Sequence, residues 1–371
     1  MRGDSSKQMP MYFVINLEAE LPSNHPLRAI KRRADAILSA MNRDLDAAYS
    51  QIGRPGIAPE RLLKALLLQA LYSIRSEIQL MQAIQFNLLY RWFVDLSDDP
   101  VWTPEVFSMN RKRFEEHGLV RKFFDRIVSE SVIEGYASTD HFTVDGTLIR
   151  SWASIKSLKT KAEPAPKRTD DDPGNPTVNF HGEKRGNATH QSPTDPEALL
   201  ARRGKGKEAH LCHSGHVLME NRNGLCMDVR VDRADGFAER RCAGRMVGHL
   251  KRRHSIHIET LGMDAAFDDG SFLLELKRLG IRAHVPVPPV RWRAPDQETL
   301  ARHEAHQRMR TKGYQISQRI RKRVEEIFGW LKTVGGLARA RVVGRWKIAQ
   351  EMLMTGAAYN LLRLARLEAA A

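Results

Sequence analysis

The spacing of apolar residues is helical along the first part of the chain. Leu62, Leu66 and Ala70 follow Pro59 at steps that place them on one helix face, and proline suits the first turn of a helix. This pattern predicts an all-α N-terminal domain at 1–137, with its core at about 53–115. Its helices are predicted to begin at Pro59, at Ser76 with Gln79 as a capping box, at Asn87, at Thr103-Pro104 and at residue 119.

This helical domain has two interpretations. Short helices joined by tight turns are typical of a helix-turn-helix assembly that contacts DNA, and equally of a plain helical bundle. Its cations favour DNA contact slightly. They are Arg75, Arg91, Arg111, Lys112, Arg113, Arg121 and Lys122.

From residue 138 the pattern becomes that of strands. In HFTVDGTLI, at 141–149, Phe142 and Val144 alternate with Thr143 and Asp145, so the two pairs are expected on opposite faces of a strand. The order of elements predicts a mixed α/β sheet with flanking helices over 138–371. The further elements are predicted as strands at 216–221 and 225–231 joined by the turn Arg222-Asn223-Gly224, a helix at 236–250, a strand at 256–263, a helix at 271–279 ended by Gly280, and a strand at 281–287.

Two segments of this second domain differ in composition. Residues 155–210 are poor in apolar side chains and rich in Lys, Pro, Gly, Asp and Thr, which predicts a long mobile insertion. The C-terminal region is predicted to be helical and basic: from Arg302 to Lys347 it holds thirteen lysines and arginines against three acids, a net charge of +10. Trp330 and Trp346 are interleaved with these cations, and such aromatic side chains can stack on unpaired bases.

The overall charge indicates the same kind of partner. Lys and Arg number 59 against 44 Asp and Glu, a net charge of +15, and this excess favours a polyanion such as nucleic acid. Three cysteines without a CxxC pair argue against a disulfide framework, and the N-terminus has no signal-peptide pattern. The most apolar stretch is broken by Lys64 and Gln69, which is typical of a buried helix. A soluble cytoplasmic protein is expected.

Three acids stand where a metal site could form. Asp145 lies in a strand among apolar neighbours, where a lone carboxylate is costly unless it binds something. Asp264 ends a predicted strand, and α/β proteins build sites at the carboxyl ends of strands. Glu325 lies on a predicted helix. Mg²⁺ prefers carboxylate oxygens, and two divalent ions can activate water and stabilise the leaving oxygen in phosphodiester cleavage.

The helix predicted around Glu325 has two stripes at helical spacing. The apolar stripe is Ile316, Ile320, Val324, Ile327 and Leu331, and the adjacent stripe is Arg321, Glu325, Phe328 and Lys332. A carboxylate between two cations could hold a metal ion beside DNA phosphates. By itself, the spacing favours an ordinary salt bridge between Arg321 and Glu325 on a solvated face.

Several longer stretches of the chain resemble the insertion-sequence-five group of DDE transposases, within the insertion-sequence-four-like class. They are HFTVDGTLIRSWAS at 141–154, TDPEALLARRGKGKEAHLCHSGHVLMENRNGL at 194–225, GMDAAFDD at 262–269 and RKRVEEIFGWLKTVGGLARARVVG at 321–344, together with the helical stretch at 53–96. The resemblance implies an RNase H-like catalytic domain. Its first strand would carry Asp145, its fourth would end in Asp264, and a later helix would carry Glu325.

The resemblance also implies roles for residues around the acids. The group's helix signature is Tyr, two residues, Arg, three residues, Glu, six residues, Lys, and Arg321, Glu325 and Lys332 match it. Arg321 and Lys332 would then bind DNA phosphates. Gln318 stands at the tyrosine position, and Ala-Ala-Phe follows Asp264 where relatives often have Lys-Gly-Tyr.

The implied function is that of a DNA transposase. Such an enzyme binds the terminal inverted repeats of its insertion sequence, hydrolyses DNA with Mg²⁺ (Mn²⁺ can substitute), and joins the 3′-OH ends to target DNA. Double-stranded DNA is the expected partner, a homodimer on DNA the expected assembly, and the nucleoid the expected place in the cytoplasm. The alternatives are an inactive DNA-binding repressor derived from a transposase, and a metal-dependent nuclease that does not transpose.

Other candidate residues have plainer interpretations. Cys212, His213, His216 and Cys226 could hold zinc, although buried side chains in a strand are the favoured interpretation. Turn or solvated positions suit Asp268, Asp269 and Glu326. Asp140 is expected in a loop, and His141 could position a phosphate.

Overall fold

The N-terminal part of the protein is helical. The computed structural model describes residues 16–50, 52, 56–97, 99–161, 185–204, 206–289 and 296–370. The helices before the first strand are α1 (Leu17–Glu20), α2 (Pro26–Ala40), α3 (Asn42–Asp46), α4 (Pro59–Leu71), α5 (Glu77–Phe86), α6 (Leu88–Phe93), α7 (Pro104–Glu116) and α8 (Leu119–Ile133).

Capping and proline residues explain where several of these helices begin. The Ser76 side chain accepts a hydrogen bond from the Gln79 amide at the start of α5, and Asn87 caps α6 in the same way. Pro59 and Pro104 occupy the first positions of α4 and α7, where a missing N–H costs no helical hydrogen bond. The predicted starts of these four helices are confirmed.

A mixed sheet follows the helices. Its strands are β1 (His141–Arg150), β4 (Leu199–Ala201), β5 (His210–Glu220), β6 (Cys226–Arg233), β7 (Thr260–Gly262) and β8 (Arg282–His284), and β2 (Lys159–Thr160) pairs separately with β3 (His190–Gln191). The order of hydrogen-bonded strands across the sheet is β4-β5-β1-β7-β8, and β6 also pairs with β5. β5 is antiparallel to β1, whereas β7 and β8 continue the sheet in parallel. The predicted mixed α/β sheet is confirmed.

Helices surround this sheet. They are α9 (Ala238–His254), α10 (Gly270–Arg278), α11 (Gln297–Arg308), α12 (Lys312–Arg321), α13 (Val324–Thr333) and α14 (Arg345–Ala370). The prediction of one continuous helix with an apolar stripe from Ile316 to Leu331 is wrong, because the chain turns at 322–323 between α12 and α13. At this turn Glu325 N donates to Lys322 O, a three-residue step that is tighter than the α-helical one. Ile316, the first member of the predicted stripe, is 47% exposed.

The long helix α14 joins the two parts of the protein. It packs against α2, α4 and α8 on one side and against β6 on the other. Buried side chains from both parts, such as Phe123, Phe142 and Met352, belong to one hydrophobic cluster. No helix in the described ranges combines the length and apolar character needed to cross a membrane.

The segment predicted as a mobile insertion lies between β1 and β5. In its described ends, β2 pairs with β3 and β4 pairs with β5. Ala153, Leu158, Ala198 and Leu211 form a small hydrophobic cluster there. Residues 162–184, the middle of the predicted insertion, lie outside the described residues.

Candidate active site

The pairing of β1 with β7 places Asp145 beside Asp264. These strands are parallel, and the last paired residues are Thr143 and Gly262. Because the register advances equally on both strands, Asp145 stands level with Asp264, two residues farther along each chain. Asp264 lies just past the end of β7, where its carboxylate accepts a hydrogen bond from the Ala266 amide at 2.9 Å. The sequence analysis placed Asp145 within a strand and Asp264 at the end of a strand, as the structure does.

Gly262 allows helix α12 to lie directly on this edge of the sheet. A Cβ atom at Gly262 would meet Ser317 Oγ of α12 at 2.8 Å and Thr143 Oγ1 of β1 at 3.1 Å. A side chain there would force the helix away from β7. Glycine thus brings the end of α12, with Arg321, close to Asp145.

Arg321 pairs with Asp145 rather than with Glu325. Its Nη1 donates to Asp145 Oδ2 at 2.9 Å, and its Nε donates to Gln318 Oε1 at 3.2 Å. Gln318 in turn donates to the carbonyls of Met263 at 3.0 Å and His284 at 2.7 Å. Gln318 is therefore a link that fastens α12 and Arg321 to the ends of β7 and β8.

The negative charge of Glu325 acts on the Asp145 carboxylate. Burial, followed by the negative charges of Asp264 and Glu325, raises the pKa of Asp145, while the Gly146 amide and Arg321 act in the opposite direction. The Asp145 side chain is 19% exposed, so its charge is poorly screened by water. Asp264 and Glu325, the other two acids predicted from the sequence, thus both lie near enough to act on the charge of Asp145.

Glu239 is a fourth acid at this place, and sequence reasoning did not select it. It lies in the first turn of α9, and its Oε1 would be 3.3 Å from a Cβ atom at Gly146, the residue after Asp145. Burial, together with the charges of Asp264 and Asp145, raises the pKa of Glu239. The sequence carries one signal that could have identified Glu239. It is an acidic residue at the start of a predicted helix, and this helix follows two paired strands.

The acids are spread more widely than the ligands of a single ion. In the part of the chain that the structure describes, they form no group of three whose donor atoms all lie within 4.8 Å of one another. Two ions about 4 Å apart need a wider ring of ligands than one ion does. The donor set of four carboxylates consists of hard oxygen ligands and fits Mg²⁺ or Mn²⁺.

Lys332 lies on the same side of β1, farther along the strand. Its Nζ donates to the hydroxyl of Thr147, which shares a face of β1 with Asp145. Burial and the charge of Arg203 lower the pKa of Lys332 to about 8. A partly desolvated ammonium that has few protein partners attracts an anion strongly.

The remaining candidates have structural contacts. His213 pairs with Asp195 at 2.9 Å, and Cys212, Cys226 and His216 are buried. In the described residues these four side chains form no zinc-like group. Asp268 is held by Arg302, Asp269 caps α10, Glu326 lies 3.9 Å from Arg363, Asp140 accepts from Thr139, and His141 contacts Thr260.

Most cations of the helical part that favoured DNA contact are engaged within the protein. Arg111 pairs with Glu77, Arg121 with Asp228 and Lys122 with Asp44, while Arg91 donates to the carbonyls of Ser97 and Asp99 and Arg113 stacks on Tyr49. These contacts explain the cations by the packing of the helices. The charge pattern of this part is therefore weak support for a DNA-binding surface.

The C-terminal part presents cations to solvent instead. Exposed cations include Arg310, Lys312, Arg319, Lys322, Arg323, Arg339 and Lys347. Trp152 and Trp346 are 53% and 58% exposed, and Arg339 stacks over the ring of Trp152 at 5.4 Å. Several of these residues lie on or beside α12 and α13, which also carry Arg321 and Glu325.

Two ranges of the chain match models of known protein families. Residues 15–113 match the family model described as Transposase domain (DUF772), and residues 184–361 match the one described as Transposase DDE domain. No curated protein and no solved structure gave a match. Two parts of the chain are thus similar to domains of transposases, one in the helical region and one across the sheet and its later helices. Proteins with a DDE domain bind DNA and normally use divalent metal ions.

The matched DDE range contains three of the four acids. Glu239, Asp264 and Glu325 lie within 184–361, whereas Asp145 precedes it. Asp145 joins the others through the register of β1 with β7.

Proposed function

We propose that this protein is a DNA transposase of the insertion-sequence-five group with an RNase H-like catalytic domain at 138–371. It would bind the terminal inverted repeats of its insertion sequence, cleave the DNA there, and join the resulting 3′-OH ends to target DNA as a homodimer. One observation carries the proposal: in a chain whose residues 184–361 match a DDE transposase domain, acids at the end of β7 and on α9 and α13 come within electrostatic reach of Asp145 on β1.

Asp145, Asp264 and Glu325 would hold Mg²⁺ or Mn²⁺, and Glu239 would complete the ring. Bound divalent ions supply a water that ionises readily and a positive charge opposite the leaving oxygen. The protein's own part is to keep the carboxylates in place. Arg321 holds the Asp145 carboxylate, and Gln318 holds Arg321.

Arg321 and Lys332 would contact the DNA backbone. Arg321 uses its Nε and Nη1 within the protein, and the remaining donors of the guanidinium fork can reach a phosphate. Lys332 would approach the phosphate from the Thr147 side of β1. The exposed cations of the C-terminal part would extend this contact along the duplex, and the helical domain at 1–137 would contribute to recognition of the ends.

The test is a cleavage assay on DNA that carries the inverted repeats flanking the gene. We expect cleavage in Mg²⁺ or Mn²⁺, and a loss of at least about 100-fold in Asp145→Asn, Asp264→Asn and Glu325→Gln, while binding to the ends persists. Glu326→Gln is the matched control, because Glu326 is the exposed neighbour of Glu325 on the same helix. It should cleave normally.

Other outcomes would support the alternatives. End binding without cleavage by the unchanged protein in either metal would favour the repressor derived from a transposase. Cleavage without strand transfer would favour the nuclease. Full cleavage by any of the three acid variants would contradict the assignment of that residue.

A further inference from the structure

A second group of potential metal ligands lies between α8 and α9. Asp125 of α8 and His249 and His254 of α9 have donor atoms that all lie within 4.8 Å of one another. Asp125 is 4% exposed, and His249 Nε2 lies 3.1 Å from its Oδ1. A buried carboxylate beside two imidazoles is a donor set that zinc and similar ions accept.

Ser129 orients the ring of His254. Its Oγ lies 3.0 Å from His254 Nδ1, and we assign the ring proton to Nδ1, so that Nδ1 donates to the hydroxyl. His254 Nε2 then keeps its lone pair. This nitrogen is buried and has no hydrogen-bond partner among the described residues. Metal-binding histidines commonly have this arrangement, with one nitrogen held by a hydrogen bond and the other free to bind the ion.

Burial of the His254 ring affects both its pKa and its unpaired nitrogen. Burial lowers the pKa of His254, and the charges of His249 and Arg253 act in the same direction, whereas Asp125 acts against them. A buried acceptor that stays unpaired destabilises the folded protein, and an ion bound at Nε2 would remove this cost.

Two arginines lie near Asp125 without forming a hydrogen bond to its carboxylate. Arg121 Nη1 is 2.5 Å from Asp228 Oδ1 but 3.7 Å from Asp125 Oδ1, so Asp228 holds most of its charge. Arg253 Nε is 3.8 Å from Asp125 Oδ2, and its side chain is 51% exposed. Neither arginine is within hydrogen-bonding distance of Asp125. Among the described side chains, His249 is therefore the hydrogen-bonding partner of Asp125 Oδ1, and a bound ion would replace the proton between these two atoms.

We propose that Asp125, His249 and His254 bind a transition-metal ion, with Zn²⁺ as the best fit, and that this ion fastens α8 to the C-terminal end of α9. Bonds of about 2.0–2.2 Å place neighbouring zinc ligands about 3.3 Å apart, so small side-chain movements would close the site. Three protein ligands leave a fourth position for water. The donor set contains two imidazoles and so differs from the carboxylates that suit Mg²⁺.

This site is separate from the acidic one. Glu239 and His254 stand at opposite ends of α9, and a rise of 1.5 Å per residue places them about 22 Å apart. Since α8 ends the helical part and α9 packs on β5 and β6, the ion would hold the helical domain against the sheet. Its loss would loosen that connection without removing any of the four acids.

The experiment measures zinc binding by the full chain carrying Asp145→Asn and Asp264→Asn, which disable the acidic site. After dialysis against a chelator, Zn²⁺ is titrated calorimetrically, Co²⁺ is added as a spectroscopic probe, and thermal unfolding is followed with and without Zn²⁺. We expect stoichiometric Zn²⁺ binding, a Co²⁺ absorption band typical of few-coordinate N/O ligands, and a higher unfolding temperature with Zn²⁺.

Variants then identify the ligands. His254→Asn keeps an amide that can donate to Ser129 but lacks the Nε2 ligand, and we expect zinc binding at least about 100-fold weaker. Ser129→Ala should weaken it about 10-fold, because the ring loses its orientation. His117→Asn, at an exposed histidine, should leave zinc affinity unchanged.

Two results would overturn the proposal. One is an absence of zinc binding and of any Zn²⁺ effect on unfolding in the parent chain, a measurement that does not depend on how a variant folds. The other is unchanged affinity in His254→Asn, which would locate the zinc elsewhere and leave Asp125 and His249 as a plain ion pair.

Discussion

At the residue scale, the partner of Arg321 shows how the site is built. A straight helix would place Arg321 four residues before Glu325 on one face and favour a salt bridge between them. In the structure Arg321 instead holds Asp145, and Gln318 fixes Arg321 from behind. Glu325 is thereby left without Arg321 as an ion-pair partner, which suits its proposed role as a metal ligand.

A variant of Glu239 can test whether this fourth carboxylate takes part in the site. The prediction rests on the proposed function. We expect Glu239→Gln to lower cleavage about 10-fold or more and to raise the Mg²⁺ concentration needed for half-maximal cleavage, since a charged oxygen ligand is lost. The free energy of unfolding at neutral pH should not fall. The raised pKa of Glu239 means that its charged form is disfavoured in the folded protein, and an amide avoids this cost.

Glu298→Gln is the control for this prediction. Glu298 also lies in the first turn of a helix, α11, but it is exposed. Its variant should show the same Mg²⁺ dependence as the unchanged protein. An unaltered Mg²⁺ dependence in Glu239→Gln as well would remove Glu239 from the site.

At the element scale, most of the order of helices and strands could be predicted from the sequence, because caps, prolines and alternation are local signals. The turn between α12 and α13 could not. Ile316, Ile320 and Val324 continue an apolar stripe without interruption, and no Gly or Pro marks the turn at 322–323. The turn is set by distant contacts: α12 lies on β7 and β8, and α13 packs on β1 and α14.

The lengths of β7 and β8 could not be predicted from local sequence signals either. Strands were predicted over 256–263 and 281–287, but the described pairing covers Thr260–Gly262 and Arg282–His284. The flanking apolar residues Ile258, Val285 and Val287 are buried without pairing in a strand. Burial and strand pairing give the same sequence pattern in such short apolar runs. The position of Glu239 beside Asp145 could not be predicted either. It depends on the path of α9 across the sheet, which the amino-acid composition does not determine.

The close approach of α12 to β7 can be tested with two glycines. Gly262→Ala should lower the free energy of unfolding by about 1–3 kcal/mol and reduce cleavage, because its Cβ would meet Ser317 Oγ and Thr143 Oγ1 and push Arg321 away from Asp145. Adding Ser317→Ala removes one of these atoms and should recover part of the loss. Urea unfolding and the cleavage assay measure both effects.

Gly329→Ala is the matched control for Gly262→Ala. Gly329 lies inside α13, and a Cβ atom there would meet nothing within 4 Å. Alanine should therefore be neutral or raise the free energy of unfolding by up to about 1 kcal/mol through helix propensity. Equal losses in the two variants would mean that the contact at Gly262 does not position α12.

At the scale of the whole molecule, α14 and the cations make the helical part and the sheet one structure. Arg121 of α8 reaches Asp228 of β6, and Asn360 of α14 bonds both the amide and the carbonyl of Cys226. Cations that could have served DNA thus serve the connection between the parts. Exposed cations of the C-terminal part, such as Lys322 and Arg323, lie beside the acids. A positive surface around an acidic centre attracts the DNA backbone while the acids attract metal ions.

Buried histidines give the whole molecule a predictable response to acid. Burial lowers the pKa of His216 from its usual 6.5 to about 4, and neither ring nitrogen has a hydrogen-bond partner among the described residues. Between these two values the unfolded chain binds a proton at His216 and the folded protein does not, so stability falls as the pH drops from 6.5 towards 4. From pH 7.5 to 5.0 this one residue should cost about 2 kcal/mol. His216→Leu should remove that part of the pH dependence in urea unfolding, whereas His117→Asn, at an exposed position, should keep it. An equally steep loss of stability in His216→Leu would mean that His216 is already charged in the folded protein at pH 5.0.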